Sequence, residues 1–169
     1  EVFGSWAVVQ RCQVHKLRNV LEHLPREQQG WVKKEMLAAY ACSDAKKALQ
    51  RLERLAERLK VTHPGAAASL EEGLAETLTV TQLGLEDALW RTLRSTNPIE
   101  NVQGSLERSA RNVKRWRSGS MALRWAVTAA LEAQKKFRRI RGHHQMPRLL
   151  EALKRIVRPQ DVDIEKAVA

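Results

Sequence analysis

The residues best placed to do chemistry lie in the run Ser95-Thr96-Asn97-Pro98-Ile99-Glu100-Asn101. The run reads as a helix start. Asn97 is the expected N-cap, Pro98 suits the first helical position, and Glu100 falls where a capping-box glutamate reaches back. Capping is therefore one role for Glu100. The other is a ligand for Mg²⁺ at a phosphodiester, because hard divalent cations take carboxylate oxygens and two-metal phosphoryl transfer needs several of them converging. One glutamate is not a metal site, so its partners have to come from elsewhere. The segment around and beyond this run is densely basic. Between Arg91 and Arg141 there are 13 Lys and Arg against 3 acids, in a chain whose net charge is +11. Such a block is an electrostatic footprint for a polyanion, and nucleic acid is the first candidate. Arg108, Arg111, Lys114, Arg115 and Arg117 form the expected phosphate-binding face. Arg124, Lys135, Arg138 and Arg139 add to it from the next helix.

A second candidate is Cys12-x-x-His15, at an expected strand-to-helix junction. Structural zinc needs four ligands in a tetrahedron. Cys42, His23, His63, His143 and His144 are the available additions, and none forms a second paired motif. A packed thiol beside a helix-end histidine explains the pair more simply. Trp90, Trp116 and Trp125 lie in or beside the basic segment, with core packing as the default for each. Trp116, between Arg115 and Arg117, has the further option of stacking on an unpaired base.

The elements that position these residues are nearly all helical. Residues 6–14 run apolar and β-branched and read as a single strand, which passes into a helix near residues 15–24. Pro25 ends it. A helix over 26–40 is expected to bury Trp31, Met36 and Leu37. The next has Ser43 as its expected N-cap and Asp44 in its first turn. It carries Ala45, Ala48, Leu49, Leu52, Leu55, Ala56 and Leu59 at helical spacing. Its outer face mixes Lys, Arg and Glu, the pattern of a solvated face. Residues 66–77 read as helix, 78–82 as an extended connector, and 85–93 as a short helix with Trp90. From 42 to 90 there are 6 basic and 8 acidic residues, so the charge changes sign near 90. A helix from Asn97 to about Trp116 should bury Ile99, Val102, Leu106, Ala110 and Val113. Another, beginning after Ser118-Gly119-Ser120 and running to about Arg141, should bury Ala122, Trp125, Ala126, Ala129, Ala133 and Phe137. Pro147 introduces a last helix, and 158–169 read as a frayed tail.

At 169 residues and 43% hydrophobic content the chain can bury a core. No apolar run is long enough to span a bilayer and no secretory signal is evident, which suggests a soluble protein with no membrane partner. Two cysteines fit a reducing cytoplasm. The start at Glu1, without Met, suggests a fragment or a processed product.

Two runs together resemble a family. Gln10-Arg11-Cys12-Gln13-Val14-His15-Lys16-Leu17-Arg18-Asn19-Val20 resembles the cysteine–histidine signature of the Mutator-like bacterial insertion-sequence transposases. Ser95-Thr96-Asn97-Pro98-Ile99-Glu100 resembles that family's threonine-asparagine-x-isoleucine-glutamate motif, which carries the last acid of its catalytic triad. Their order and separation agree, and the resemblance covers at least residues 6–141. It implies an RNase H-like Asp-Asp-Glu core interrupted by an all-α insertion. Residues 1–24 would be the end of the core and 25–94 the insertion. Residues 95–157 would hold the returning glutamate helix and the basic C-terminal helices, before the tail at 158–169. The expected fold is mainly α with at most one or two short strands. The implied activity is cleavage and strand transfer at transposon ends, dependent on Mg²⁺ or Mn²⁺, with water and then a 3′-hydroxyl as nucleophiles. Glu100 would be both catalytic and metal-binding. The implied partners are DNA, as transposon ends and target, and further copies of the protein, in a bacterial cytoplasm and without a small-molecule substrate.

This chain departs from the family pattern in two ways. The family's two aspartates lie upstream of the signature, whereas the first acid after Glu1 here is Glu22. The chain thus holds only the third acid and is expected to be inactive alone. A basic residue often follows the family glutamate by seven positions, where this chain has Glu107 with Arg108 next to it. Arg111 and Lys114, at plus 11 and plus 14, are expected on the Glu100 face instead. A core cut at its last strand should also expose Val8, Val9 and Val14. The alternatives are a non-catalytic helical nucleic-acid-binding module, or an oligomerisation domain that pairs the 43–60 helix with another copy.

Overall fold

A computed structural model describes residues 7–85 and 87–157. The start of the expected strand (Trp6) and the end of the chain (158–169) lie outside the described residues. The chain divides into two compact units, Glu1–Ser95 with Gly142–Ala169, and Thr96–Arg141. The expected 95–157 segment is thus divided between them.

The first unit is built around α1 (Gln13–Glu22), α2 (Arg26–Tyr40), α3 (Ala45–Thr62) and α4 (Pro64–Glu71). α3 packs on α2 and α4, and α1 packs on the same two. At 1.5 Å per residue α3 is about 27 Å long, enough to back the whole unit. Its period-3.6 stripe of Ala48, Leu52, Leu55, Ala56 and Leu59 is at most 3% exposed. The stripe meets Val32, Met36, Ala39 and Tyr40 of α2, Val20 of α1, and Ala66, Ala67 and Leu70 of α4 in one core. This stripe is therefore filled from within its own chain.

Several local expectations change. Asp44, not Ser43, caps α3, because its Oδ1 accepts the N–H groups of both Lys46 (2.9 Å) and Lys47 (3.1 Å). Leu37 is 47% exposed, and Val32 is buried on the inner stripe of α2 instead. Residues 78–82 are not extended. A 3₁₀ turn (Ala75–Leu78) runs directly into α5 (Thr79–Gln82). Trp90 lies on α6 (Asp87–Leu93), its indole N–H donating to the Thr81 hydroxyl at 3.1 Å.

Residues 7–12 form no strand, and the described residues contain none. A strand needs a neighbour to satisfy its backbone groups. Here they go to helical turns. Arg11 N–H donates to Glu76 O (3.0 Å), Gln13 N–H donates to Arg94 O (3.0 Å), and the Thr79 hydroxyl donates to Val9 O (2.7 Å). Val9 and Val14 are 49% and 41% exposed, and Val8 is half-buried.

Glycine is required where α4 ends. Gly73 has φ +60°, and a Cβ there would come 2.3 Å from Arg11 Nε. Gly73→Ala should therefore lower the unfolding free energy by about 1–2 kcal/mol through the left-handed conformation alone. It should also displace the Arg11 side chain, and chemical denaturation checks the total. The chain returns to this unit at Gly142 (φ +77°), where a Cβ would sit 2.4 Å from the Leu89 backbone nitrogen. It ends in α9 (Met146–Val157). Among the described residues no helix is long and apolar enough to cross a membrane.

The second unit is a pair of packed helices, α7 (Asn97–Ala110) and α8 (Gly119–Gln134). Two helices alone enclose little. Only Ala129 and Ala133 are buried. Of the expected α7 core, Val102, Leu106, Ala110 and Val113 are half-buried and Ile99 is 54% exposed. On the α8 side Trp125 and Phe137 are 42% and 57% exposed, and Ala126 is exposed as well.

Candidate functional site

α7 begins one residue earlier than the cap pattern suggests. Thr96 is the N-cap and Asn97 the first helical residue. Glu100 N–H donates to Thr96 O at 3.0 Å, and the Thr96 hydroxyl donates to the Glu100 carboxylate. This second bond runs from side chain to side chain and satisfies no backbone N–H, which is not the capping-box bond that the spacing suggests. Glu100 is exposed, and its place in the first turn sets the positive end of the helix dipole beside the carboxylate. A carboxylate has about four acceptor positions, and the Thr96 hydroxyl occupies one of them.

The basic residues are distributed differently from the expected helical face. α7 ends at Ala110 with Arg111 as its C-cap, and Val113 N–H closes the last turn on Ala110 O at 2.9 Å. Residues 113–118 have no regular structure. Continuing the helix would stack Arg108, Arg111, Lys114 and Arg115 as like-charged neighbours three and four apart, which disfavours it. Lys114, Arg115 and Arg117 therefore lie on a loop. The assignment of Arg111 and Lys114 to the Glu100 face of one long helix does not hold. The loop ends where the Ser118 Oγ accepts Met121 N–H at 3.2 Å. Similarly α8 stops at Gln134, with Lys135 as C-cap, so Arg138 and Arg139 lie beyond it.

All nine candidate phosphate contacts are exposed. Two have local partners. Arg108 donates to the Ser105 Oγ at 2.9 Å, and Lys135 pairs with Glu132 at 2.6 Å. The Lys135 charge is thus partly answered by its close neighbour on α8. Trp116 is 44% exposed, which sets aside the core role and leaves its ring beside Arg115 and Arg117 on the loop.

The cysteine–histidine signature also carries two buried polar residues, Gln13 and Lys16. His15 is exposed and Cys12 half-buried, and among the described residues no three His, Cys, Asp or Glu side chains gather as a metal site. By contrast Gln13 and Lys16 are buried, 5% and 4% exposed. Lys16 Nζ donates to Ser69 O (2.7 Å) and Glu72 O (2.6 Å) and lies 3.6 Å from Glu72 Oε2. These carbonyls close α4, so the ammonium acts as its C-terminal cap from another helix. Gln13 donates to Thr77 O at 2.8 Å. Gln10 donates to Thr77 O at 2.9 Å and accepts Val80 N–H at 2.8 Å. Arg11 pairs with Glu72 (2.8 Å) and Glu76 (2.6 Å). The Arg11 guanidinium holds the Glu72 carboxyl below its usual value, and burial pushes Lys16 below its own. The signature is thus a polar clasp on residues 69–80. The signal for it was present in the sequence. Gln13, Lys16 and Val20 share one helical stripe, so two polar residues lie on an inner face.

Comparison with known proteins agrees with these landmarks. The family described as Transposase, Mutator family matches residues 2–140. The transposase for insertion sequence element IST2 of Acidithiobacillus ferrooxidans is 28% identical over 143 residues, 79% of this chain and 48% of that protein. The transposase for insertion sequence element ISRM5 of Rhizobium meliloti is 28% identical over 152 residues, 90% of this chain and 38% of that protein. The transposase for IS1081 of Mycobacterium tuberculosis is 26% identical over 102 residues, 60% of this chain and 24% of that protein. The chain thus spans about half the length, or less, of these relatives. No solved structure matches.

Proposed function

This chain belongs to the Mutator family of transposases, and from that premise we propose that it supplies DNA contacts and the last catalytic acid, Glu100, of a DNA-cleaving and strand-transferring enzyme. The observation that carries the reading is the composition of the second unit. Thr96–Arg141 opens on the exposed Glu100 and holds 11 Lys and Arg against 3 acids. A lone carboxylate at the head of a phosphate-attracting surface is what a phosphodiester site would require of this segment.

The residues present do not by themselves fit a metal centre. Hard cations need several oxygens, and the other two acids of this unit are Glu107 and Glu132, the latter paired with Lys135. Among the described residues no ligand cluster forms. No metal-dependent step is therefore assigned to this chain alone. Its part is to offer one carboxylate and to hold DNA backbone. Mg²⁺ or Mn²⁺ belongs to the complete enzyme, with further acids supplied from outside this chain.

The test is direct. The chain is incubated with supercoiled DNA and Mg²⁺ or Mn²⁺, alone and as part of the full-length transposase. Nicking by the full-length protein only is expected, and nicking by this chain alone would overturn the division of labour. Inactivity of both with DNA binding retained would favour a purely binding role and leave Glu100 as a helix cap. Binding itself should be sequence-indifferent and salt-sensitive. Arg115→Ala with Arg117→Ala should flatten the slope of log affinity against log salt by about 2, because each neutralised phosphate accounts for roughly 0.9 of that slope. Fluorescence anisotropy across a salt series checks this.

A further inference from the structure

We propose that the outer face of α3 is a second DNA-backbone contact surface, separate in sequence from the basic segment after Arg91. This inference rests on the reading of the protein as DNA-binding. Lys47, Arg51, Arg54 and Arg58 follow one another at four, three and four residues, so they form a single stripe along the helix. All four are exposed. The stripe is about 16 Å long at 1.5 Å per residue. It matches roughly five phosphates of axial rise along one strand at about 3.4 Å each.

Glu53 and Glu57, the two acids of α3, fall to one side of this stripe at helical spacing. Glu57 is held by Lys60 at 2.7 Å, and Lys60 also reaches Glu71 of α4 at 2.7 Å, so that side of the helix neutralises itself. Lys47 lies 3.8 Å from Asp44 at the helix start. Arg51 and Arg54 have no ion pair among the described residues. Arg58 is pre-positioned. Its guanidinium sits over the Trp31 ring at 4.8 Å, and the indole N–H donates to Gln28 Oε1 at 2.5 Å. A guanidinium held over a ring face is restricted in position while its N–H donors can still meet an anion.

Like charges three and four apart weaken an isolated helix. Lys47 with Arg51, Arg51 with Arg54, and Arg54 with Arg58 are three such pairs in succession. A phosphate backbone laid along the stripe would offset their repulsion. The stripe is concealed in composition, because residues 42–90 carry 6 basic against 8 acidic residues. Only the helical arrangement separates the two signs.

The experiment is anisotropy of a fluorescein-labelled random-sequence duplex over a salt series. It compares the unaltered chain, Arg51→Ala/Arg54→Ala, Arg51→Lys/Arg54→Lys, and Arg115→Ala/Arg117→Ala. Both α3 positions are exposed and alanine favours helix, so circular dichroism should show an unchanged fold. Weaker binding and a salt slope lower by about 2 are expected for the α3 alanine pair, with the slope largely restored by the lysine pair. An α3 alanine pair that binds like the unaltered chain, while the loop pair weakens, would overturn this inference and leave the DNA reading standing. An unaltered chain that does not bind duplex at all would overturn both.

Discussion

Glu100→Gln in the full-length transposase should reduce Mg²⁺-dependent DNA nicking by about 10²–10⁴-fold while leaving duplex affinity within about twofold. The substitution preserves side-chain shape and the ability to accept from the Thr96 hydroxyl, which the structure shows bonded to the Glu100 carboxylate. It removes only the negative charge. A carboxylate that helps hold a metal acts on a transition state worth several kcal/mol of charge stabilisation, and each 1.36 kcal/mol is tenfold in rate. If Glu100 were only a cap, the amide would serve nearly as well and nicking would persist. A plasmid nicking assay beside an anisotropy titration separates the two. Retained nicking in Glu100→Gln, with binding unaltered, would remove Glu100 from the catalytic assignment. Thr96→Val is a useful companion. It deletes the hydroxyl partner, so it should lower the stability of the start of α7 without matching the loss of nicking.

Lys16→Met should lower the unfolding free energy of the first unit by about 2–4 kcal/mol. Methionine retains much of the apolar stem but cannot donate. The carbonyls of Ser69 and Glu72, which now accept from Nζ at 2.7 and 2.6 Å, would lose their partner. A polar group left unsatisfied in a buried setting costs about 1–3 kcal/mol. This unit, Glu1–Ser95 with Gly142–Ala169, lies between domains of about 60–100 residues, which lose about 4–8 °C per kcal/mol, and those of about 150–250, which lose about 2–4 °C, so the melting temperature should fall by roughly 5–20 °C. Thermal denaturation followed by circular dichroism reads this. A melting temperature within about 2 °C of the unaltered chain would mean that the clasp is not what holds α4 to α1. Cys12→Ala is the natural contrast. Cys12 is half-buried, and truncating it to alanine removes a single atom while the carbonyls that close α4 keep their Lys16 partner, so the loss should be smaller than that of Lys16.

The signature therefore divides into residues that identify and residues that hold. Cys12 and His15 drew notice because thiol and imidazole have chemistry. Gln10, Arg11, Gln13 and Lys16 of the same run bond to partners that lie 53 to 70 residues further along the chain. A similar correction applies to α7. Its period suggested a helix to Trp116, but α7 ends at Ala110 and the most basic stretch lies on a loop. Residues 6–14 show why apolar, β-branched composition is insufficient for a strand. A strand requires a neighbour, and the described residues 7–12 bond to helical turns instead.

What the sequence determined alone is whatever depends on near neighbours and on composition. It set the helical class, the core stripe of α3, the position of Glu100 in the first turn of a helix, and the concentration of positive charge after Arg91. Its two motifs also pointed to the family that matches residues 2–140. Tertiary structure decided the matters that depend on distant partners. It buried Lys16 against the end of α4, exposed Leu37 and Trp125, and sorted the mixed charges of α3 into a self-neutralised side and a basic stripe. The physical reason is range. Helical periodicity and capping act within about one turn, whereas the fate of a buried polar group depends on which carbonyl the fold brings to it.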